Sequence, residues 1–253
     1  MIWFVGAGSG AVDLITVRGQ RLLGEADLII YAGSLVNPEL LHLAKPGAVC
    51  QNSARMTLEE VVSSMLEAEG RGWTTVRLHT GDPSLYGAIR EQMNLLAAAG
   101  VEFEVVPGVS SFCAAAASLK AEYTLPGISQ TLVITRMAGR TPTPEAEDIA
   151  GLAVHGSSMA IFLSSGMLEA LQEKLLAGGY SGDTPAAIVY KASWPEEKVF
   201  RCPLASLAET GRKNAVTQTA LVLVGGFLDG GGERSKLYDP AFTTGFRKGS
   251  DAD

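Results

Sequence analysis

One carboxylate and two hydroxyls stand at turns where a ligand could be held. Asp82 follows Gly81 after an apolar run and precedes Pro83, in the sequence G-D-P-S-L-Y. Asp82 suits a helix N-cap, and proline suits the first helical position because its missing N–H is not needed there. A second turn, P-G-V-S-S, carries Ser110 and Ser111. Open α/β sheets bind ligands at such turns, where strands end.

A third turn is rich in glycine and follows the first predicted strand. The stretch 6–11, G-A-G-S-G-A, fits the G-x-G-x-x-G/A pattern of dinucleotide-binding folds. That pattern also requires an acidic residue about 20 residues further on, at the end of the second strand. Here the second strand ends in Tyr31-Ala32-Gly33. A tight turn with close approach of another group is therefore the favoured interpretation, and a nicotinamide-dependent oxidoreductase is the less favoured one.

Bulk composition narrows the class of protein. The chain has 253 residues, 47% of them hydrophobic, with three cysteines and a formal net charge of −7. An acidic chain is not expected to be a general nucleic-acid binder. No apolar run approaches the ~20 residues of a membrane span, and no secretory leader is evident. We therefore expect a cytoplasmic protein without a metal site, a nucleic-acid partner or a membrane partner.

Hydrophobic periodicity predicts that strands and helices alternate. In the first half we expect strands at 2–5, 26–31, 76–80 and 101–106, and helices at 14–25, 35–43, 57–70, 83–99 and 112–119. Thr57 and Glu60 form a predicted capping box. In the second half we expect strands at 131–135, 158–163, 185–191, 198–202 and 219–224, and helices at 144–154 and 166–177.

This alternation predicts an α/β protein made of two α/β domains. The N-terminal domain, 1–118, would have a mostly parallel sheet covered on both faces. The C-terminal domain, 119–228, would have a mixed sheet because its last strands are joined by short links. Residues 229–253 turn to Gly, Asp, Ser and Lys and are predicted to form a mobile tail.

Several separated motifs resemble those of the tetrapyrrole methylases, a family of enzymes that depend on S-adenosylmethionine (SAM). They are G-A-G-S-G-A-V-D-L-I-T-V-R-G at 6–19, G-D-P-S-L-Y-G at 81–87 and V-P-G-V-S-S at 106–111. Motifs at 135–145, 162–165 and 189–198 are similar to the branch that methylates C11 of precorrin-4 in cobalamin biosynthesis. The resemblance covers roughly 1–228. It departs from the family in the first loop, where Ser9 replaces a proline and Ala11-Val12 replaces an Asp-Pro pair.

The resemblance implies a homodimer of two-domain subunits, with the active site and SAM in the cleft between the domains. It implies SAM contacts from Gly81, Asp82, Pro83, Leu85, Tyr86, Ser110, Ser111, Phe162, Leu163, Tyr190, Lys191, Ala192, Thr219 and Ala220. Asp82 would bind the ammonium group or balance the sulfonium, or would serve only as a cap. Without the resemblance, Phe162 and Leu163 would be interpreted as strand core.

The implied acceptor is a tetrapyrrole with several acetate and propionate carboxylates, which an acidic protein must meet with local basic residues. The predicted substrate-binding set is Gly8, Ser9, Arg55, Arg136, Arg140 and Trp194. For each arginine, an ordinary solvent-exposed position is an equally good interpretation. The ring carbon is itself the nucleophile, so no catalytic side chain is assigned. His79 is expected to be a neutral strand residue.

Three alternatives stay open at this point. The chain could methylate another ring carbon, or another acceptor such as rRNA ribose or the diphthamide precursor. It could be the oxidoreductase already considered. It could also be a tetrapyrrole carrier without catalytic activity.

Overall fold

The computed structural model describes residues 1–33 and 35–250. Among these residues, no helix combines the length and the apolar character that crossing a membrane requires. Of the predicted tail, residues 251–253 lie outside the described residues. Residues 229–250 include a short 3-10 helix at Lys236–Tyr238, and their mobility stays a prediction.

The chain divides into two structural units. Met1–Ala115 and Lys191–Glu197 form the first, and Ala116–Tyr190 and the chain from Lys198 onward form the second. The short segment Lys191–Glu197 therefore belongs with the first unit, although second-unit chain precedes and follows it.

Five parallel strands form the sheet of the first unit, in the order β3-β2-β4-β1-β5. The strands are β1 (Ile2–Gly6), β2 (Leu28–Tyr31), β3 (Val49–Asn52), β4 (Thr75–His79) and β5 (Phe103–Val106). The helices are α1 (Val17–Glu25), α2 (Leu58–Gly70), α3 (Ile89–Ala98) and α4 (Ser111–Leu119), which ends in the second unit.

Both faces of this sheet are buried. In β4, Val76 and Leu78 pack into the core shared with α1. Arg77 and His79 alternate to the opposite face, where α2 and α3 contribute Met65, Leu96 and other apolar residues to the core.

Five strands also form the sheet of the second unit, in the order β6-β7-β10-β8-β9. They are β6 (Leu132–Arg136), β7 (Ser158–Phe162), β8 (Pro185–Tyr190), β9 (Lys198–Pro203) and β10 (Ala220–Val224). The helices are α5 (Ile149–Ala153), α6 (Leu168–Ala177) and α7 (Leu207–Lys213). Only β6 and β7 pair in parallel, and the other pairs are antiparallel. The predicted fold class, with a parallel first sheet and a mixed second sheet, is confirmed.

The predicted start of the helix that follows Asp82 is wrong. The sequence predicts helix from Pro83, whereas α3 begins at Ile89 and its N-cap, Ala88, makes no side-chain capping bond. Tyr86 and Ala88 have φ values of 56° and 49°, in the left-handed region that a right-handed helix excludes. The apolar spacing continues through this turn, so periodicity alone misplaces the helix start.

Other differences concern short elements. The sequence predicts neither β3, a mostly exposed edge strand, nor the seven-residue helix α7. Of the helix predicted at 35–43, only Pro38–Leu43 forms, as a 3-10 helix. Of that predicted at 144–154, only α5 is α-helical. The capping box of Thr57 and Glu60 is confirmed at the start of α2.

Candidate active site

Three glycine turns meet where β1, β4 and β5 end. A Cβ atom built on Gly6 would lie 2.6 Å from both Gly108 Cα and the Gly81 carbonyl oxygen, and one on Gly108 would lie 2.2 Å from that oxygen. Gly8 and Gly81 exchange backbone hydrogen bonds of 2.8 and 3.3 Å. The backbones approach so closely that only hydrogen fits at Gly6 and Gly108.

Asp82 ties two of these turns together. Its Oδ2 accepts the backbone N–H of Gly108 at 2.9 Å, and its Oδ1 accepts the N–H and the hydroxyl of Ser84 at 2.8 and 2.5 Å. Partial burial by itself raises the pKa of Asp82, but the hydrogen bonds from Ser84 and Gly108 outweigh it and hold the pKa below its usual value. Asp82 is thus an ionised carboxylate that caps a turn, and Oδ2 keeps one lone pair for a ligand.

The turn that follows Gly81 carries all the candidate residues of this motif. Pro83 and Leu85 lie within it, and Tyr86 is 44% exposed with a left-handed φ of 56°. Strained residues of this kind concentrate at ligand sites. The hydroxyl of Thr80, just before the turn, is buried and has no hydrogen-bond partner among the described residues.

Ser110 and Ser111 lie beside Gly81. A Cβ on Gly81 would lie 3.6 Å from Ser110 Cα and 3.8 Å from the backbone nitrogen of Ser111, which is ordinary van der Waals contact, so the two turns lie side by side. Ser110 is 5% exposed. Ser111 is the first residue of α4, and the first backbone N–H groups of a helix have no partners within the helix. The structure therefore brings the two predicted cofactor turns together on one surface of the first unit.

The segment Lys191–Glu197 packs on the first glycine loop. The hydroxyls of Ser9 and Ser193 share a hydrogen bond of 2.8 Å, and Ser193 Oγ also accepts the N–H of Ala11 at 3.1 Å. Trp194 Nε1 donates to the carbonyl of Ser9 at 3.1 Å. A Cβ on Gly10 would lie 2.1 Å from the Trp194 ring. Ser9 and Trp194, both predicted to bind substrate, thus bind each other.

Lys191 and Ala192 begin this segment. Lys191 has a φ of 48°, and its Nζ lies 3.5 Å from the carboxylate of Glu196 and 5.1 Å from the centre of the Trp194 ring. Ala192 is 6% exposed. The ammonium group of Lys191 is therefore held close to the tryptophan rather than extended into solvent.

The geometry of the first loop does not match a dinucleotide site. Three of its amides are already used, because Ala7 donates to the carbonyl of His79, Gly8 to the carbonyl of Gly81 and Ala11 to the hydroxyl of Ser193. Helix α1 begins only at Val17, whereas a pyrophosphate site needs a helix N-terminus directly at the loop.

One end of the second sheet groups the remaining cofactor candidates. β7 and β8 end there with Phe162 and Tyr190, and β10, which is antiparallel to both, begins there with Ala220. Ala220 pairs directly with Tyr190. Leu163 and Thr219 are the adjoining residues of the chain. Strand register thus groups five residues that are far apart in sequence.

Two residues at this end are strained. Leu163 and Thr219 have φ values of 52° and 53°. Leu163 is 60% exposed, so it is not a core residue of its strand. An exposed leucine in a left-handed conformation is typical of a binding surface.

The basic candidates differ in whether their charged groups already have hydrogen-bond partners in the protein. The guanidinium of Arg136 donates to three carbonyl groups of its own loop, 137–142, at 2.7 to 3.1 Å. Arg55 and Arg140 are exposed. Arg136 therefore stabilises a loop, while Arg55 and Arg140 face solvent.

Sequence reasoning overlooked Arg77 and interpreted His79 correctly. His79 is 3% exposed, and burial, assisted by the charge of Arg77, lowers its pKa to about 3, so it is neutral near pH 7. Arg77 is 7% exposed. A basic residue inside a predicted buried strand, V-R-L-H, was the available signal.

Comparison with known proteins now identifies the family. The family model described as Tetrapyrrole (Corrin/Porphyrin) Methylases matches residues 1–208. The chain belongs to this family. A cobalt-precorrin-4 C(11)-methyltransferase of Methanocaldococcus jannaschii is 51% identical, over 96% of this chain and 95% of that protein. A precorrin-4 C(11)-methyltransferase of Mycobacterium tuberculosis is 44% identical, over 95% of this chain and 96% of that protein.

Solved structures of other tetrapyrrole methylases have the same fold. An X-ray structure of a cobalt precorrin-4 methyltransferase superposes with a TM-score of 0.88 at 46% identity, over 90% of this chain and 95% of that chain. A uroporphyrin-III C-methyltransferase from Thermus thermophilus, complexed with S-adenosylhomocysteine, has a TM-score of 0.75 at 26% identity, over 91% and 99% of the two chains.

Proposed function

We propose that this tetrapyrrole methylase transfers a methyl group from SAM to C11 of precorrin-4 or cobalt-precorrin-4. The products would be the corresponding precorrin-5 and S-adenosylhomocysteine. The observation that carries this proposal is near full-length similarity, at 44% and 51% identity, to proteins named for that reaction. The uroporphyrin-III enzyme, which carries another acceptor in its name, is only 26% identical.

The residues of both units fit SAM chemically. SAM needs polar backbone groups for its adenosine, hydrogen-bond donors for one carboxylate and an anionic or aromatic neighbour for its charged groups. The first unit offers the backbone of the Gly81 turn beside Ser110, the start of α4 and the ionised Asp82. The second unit offers the exposed Leu163 and the strand end that carries Tyr190.

We propose the following SAM contacts. In the first unit they are Gly81, Asp82, Pro83, Leu85, Tyr86, Ser110, Ser111, Lys191 and Ala192. In the second unit they are Phe162, Leu163, Tyr190, Thr219 and Ala220. When bound, SAM supplies an electrophilic methyl group on a positively charged sulfur.

The chain contributes mainly orientation to this reaction. Rigid turns that hold two reactants in an attack geometry can supply ~7–11 kcal/mol of a barrier. The backbone bridge between Gly8 and Gly81 makes the turns of β1 and β4 one rigid body. Asp82 fixes the turn of β5 to them. No side chain is required as nucleophile, because the ring carbon fills that role.

The acceptor would contact the first glycine loop, the exposed Arg55 and Arg140, and the loop that Arg136 stabilises. We propose Gly8, Ser9, Trp194, Arg55, Arg136 and Arg140 for this surface. Arg55 and Arg140 would bind peripheral carboxylates, since a planar guanidinium suits them. Ser9 and Trp194 would act through the shape of the loop, because their polar groups already bind protein partners. We also propose a cytoplasmic location and a homodimer, and sedimentation of the purified protein would test the dimer.

A comparison of acceptors tests the reaction. Purified protein with SAM should form S-adenosylhomocysteine much faster with precorrin-4 or cobalt-precorrin-4 than with uroporphyrinogen III. Equal rates would favour methylation of another ring carbon. Binding of NAD by the protein would favour an oxidoreductase, and tetrapyrrole binding without methyl transfer would favour a carrier.

A further inference from the structure

A buried arginine in the first unit has only neutral partners. Arg77 Nε donates to Gln92 Oε1 at 3.1 Å, and Nη1 donates to the carbonyls of Ile30 and Leu78 at 3.1 and 3.5 Å. Among the described residues, Nη2 has no hydrogen-bond partner and no carboxylate forms an ion pair with Arg77. These hydrogen bonds fix the plane of the guanidinium group, while its Nη2 remains able to donate to a ligand.

The charge of Arg77 persists in this position. Burial lowers its pKa to about 10, so the side chain is protonated at neutral pH. A buried charge without a counter-ion is costly, and an anionic ligand beside it would remove that cost.

Arg77 lines a cavity of about 160 Å³. The cavity is also lined by the hydroxyl-bearing Ser53 and Thr57 and by Leu58, the first residue of α2. The side chain of Thr57 satisfies the N–H of Glu60, which leaves the earlier N–H groups of this 13-residue helix for another acceptor. A cavity of this volume holds roughly five water molecules, or one carboxylate arm and some water.

The cavity lies on the ligand side of the parallel sheet. Ser53 directly follows β3, and Gln92 lies in the first turn of α3. Both positions are at the end of the sheet where the strands finish, the same end that carries Gly81 and Asp82. Arg55, already proposed for the acceptor, shares a 3-10 helix with Ser53.

We propose that Arg77 and the first turn of α2 bind one acetate or propionate carboxylate at the periphery of the acceptor. This inference rests on the proposed function, because it takes the acceptor to be a tetrapyrrole with such side chains. The carboxylate would accept hydrogen bonds from Nη2 and from the free N–H groups of α2, whereas the hydroxyl of Ser53 already donates to the carbonyl of Tyr31 at 3.1 Å. Glu91, exposed at the cavity, would repel the bound anion and limit its affinity.

Two substitutions with opposite expected effects test the inference. Glu91→Gln removes the repelling charge from an exposed position and should lower the KM for precorrin-4 by about threefold, within the range of exposed charge pairs. Arg77→Lys keeps a positive charge but loses the fork and should raise that KM about tenfold. In both variants the Kd for SAM should stay within about twofold of the parent value.

A matched control comes from the opposite end of the sheet. Glu102 is an exposed glutamate just before β5. Glu102→Gln makes the same change of net charge as Glu91→Gln but should leave the KM for precorrin-4 unaltered. If Arg77→Lys does not fold, the KM values of Glu91→Gln and Glu102→Gln still test the inference.

Opposite shifts in KM with unchanged SAM affinity support the inference. An unchanged KM in folded Glu91→Gln and Arg77→Lys overturns it. If inorganic phosphate then stabilises the parent against heat more than it stabilises Arg77→Lys, the cavity binds a free anion instead of the acceptor.

The cavity can also be tested without turnover. If the parent does not methylate precorrin-4, it is the proposed function that fails. Thermal shift with sodium propionate then tests the cavity alone. Stabilisation that is larger in Glu91→Gln than in the parent supports a carboxylate site, and no stabilisation in either protein overturns it.

Discussion

Replacing Gly108 with alanine should strongly destabilise the first unit, although its φ is ordinary. The new Cβ would lie 2.2 Å from the carbonyl oxygen of Gly81 and 2.8 Å from Gly6 Cα. Both neighbours are backbone, so they cannot yield by a change of rotamer. Overpacking costs ~1–3 kcal/mol, and opening the Gly8–Gly81 bridge loses two backbone bonds at ~1 kcal/mol each. We expect a total of about 3–5 kcal/mol.

Gly81→Ala is the matched comparison. Its φ of 62° strains an alanine by ~1–2 kcal/mol, but the nearest atom to the new Cβ is 3.6 Å away. At about 2–4 °C per kcal/mol, the melting temperature should fall by about 6–20 °C in Gly108→Ala and by about 2–8 °C in Gly81→Ala. SAM affinity should fall in Gly81→Ala, whose methyl group would enter the proposed site.

Thermal unfolding followed by circular dichroism measures the first effect, and calorimetric titration with SAM measures the second. A Gly108→Ala protein as stable as the parent would refute the close packing of the three turns. A larger loss of stability in Gly81→Ala than in Gly108→Ala would refute it as well.

Three further predictions concern other parts of the site. Leu163→Gly and the control Lys120→Gly each relieve a left-handed φ and should leave the melting temperature nearly unchanged. Only Leu163→Gly should weaken SAM binding, by about tenfold or ~1.4 kcal/mol. Equal SAM affinities in the two variants would remove Leu163 from the proposed site. Trp194→Phe keeps an aromatic ring beside Gly10 but loses the hydrogen bond to the Ser9 carbonyl. One hydrogen bond contributes ~1 kcal/mol, so the KM for precorrin-4 should rise about fivefold. An unchanged KM would show that this loop does not contact the acceptor. The pKa of His79 is about 3 in the folded protein and 6.5 in the unfolded chain, so the unfolded state binds the proton more readily and stability should fall as pH drops from 6.5 towards 3. Urea unfolding at several pH values should show a smaller fall in His79→Gln than in the parent. The same fall in both proteins would contradict a neutral buried histidine.

The sheet order of the first unit depends on strands that the sequence predicts unequally well. β1 and β2 are buried apolar runs, and in the buried β4 apolar residues alternate with Arg77 and His79, so these three strands were predictable. β3 is an edge strand, V-C-Q-N, held mainly by backbone pairing to β2, and its composition gives no strand signal. The start of α3 was misplaced because an apolar spacing of helical period runs into a turn that Tyr86 interrupts.

The candidate site can be proposed from the sequence only where it consists of short continuous stretches of chain. The glycine turns and the candidates Phe162, Leu163 and Tyr190 lie in motifs, each carried by a short stretch of chain. The hydrogen bonds of Ser193 and Trp194 to the loop at Ser9 join residues more than 180 positions apart, and no local sequence pattern predicts them. The environment of Arg77 likewise depends on Gln92 and Ile30, which approach it only in the folded sheet.

The proposed reaction is methyl transfer to one carbon of one acceptor. Incubating the protein with SAM labelled with ¹³C at the methyl group, together with precorrin-4, and recording the NMR spectrum of the product would test it most directly. We predict one new labelled methyl group, attached to C11, and a matching amount of S-adenosylhomocysteine. A labelled methyl on any other ring carbon, or no label in the tetrapyrrole, would contradict the claim.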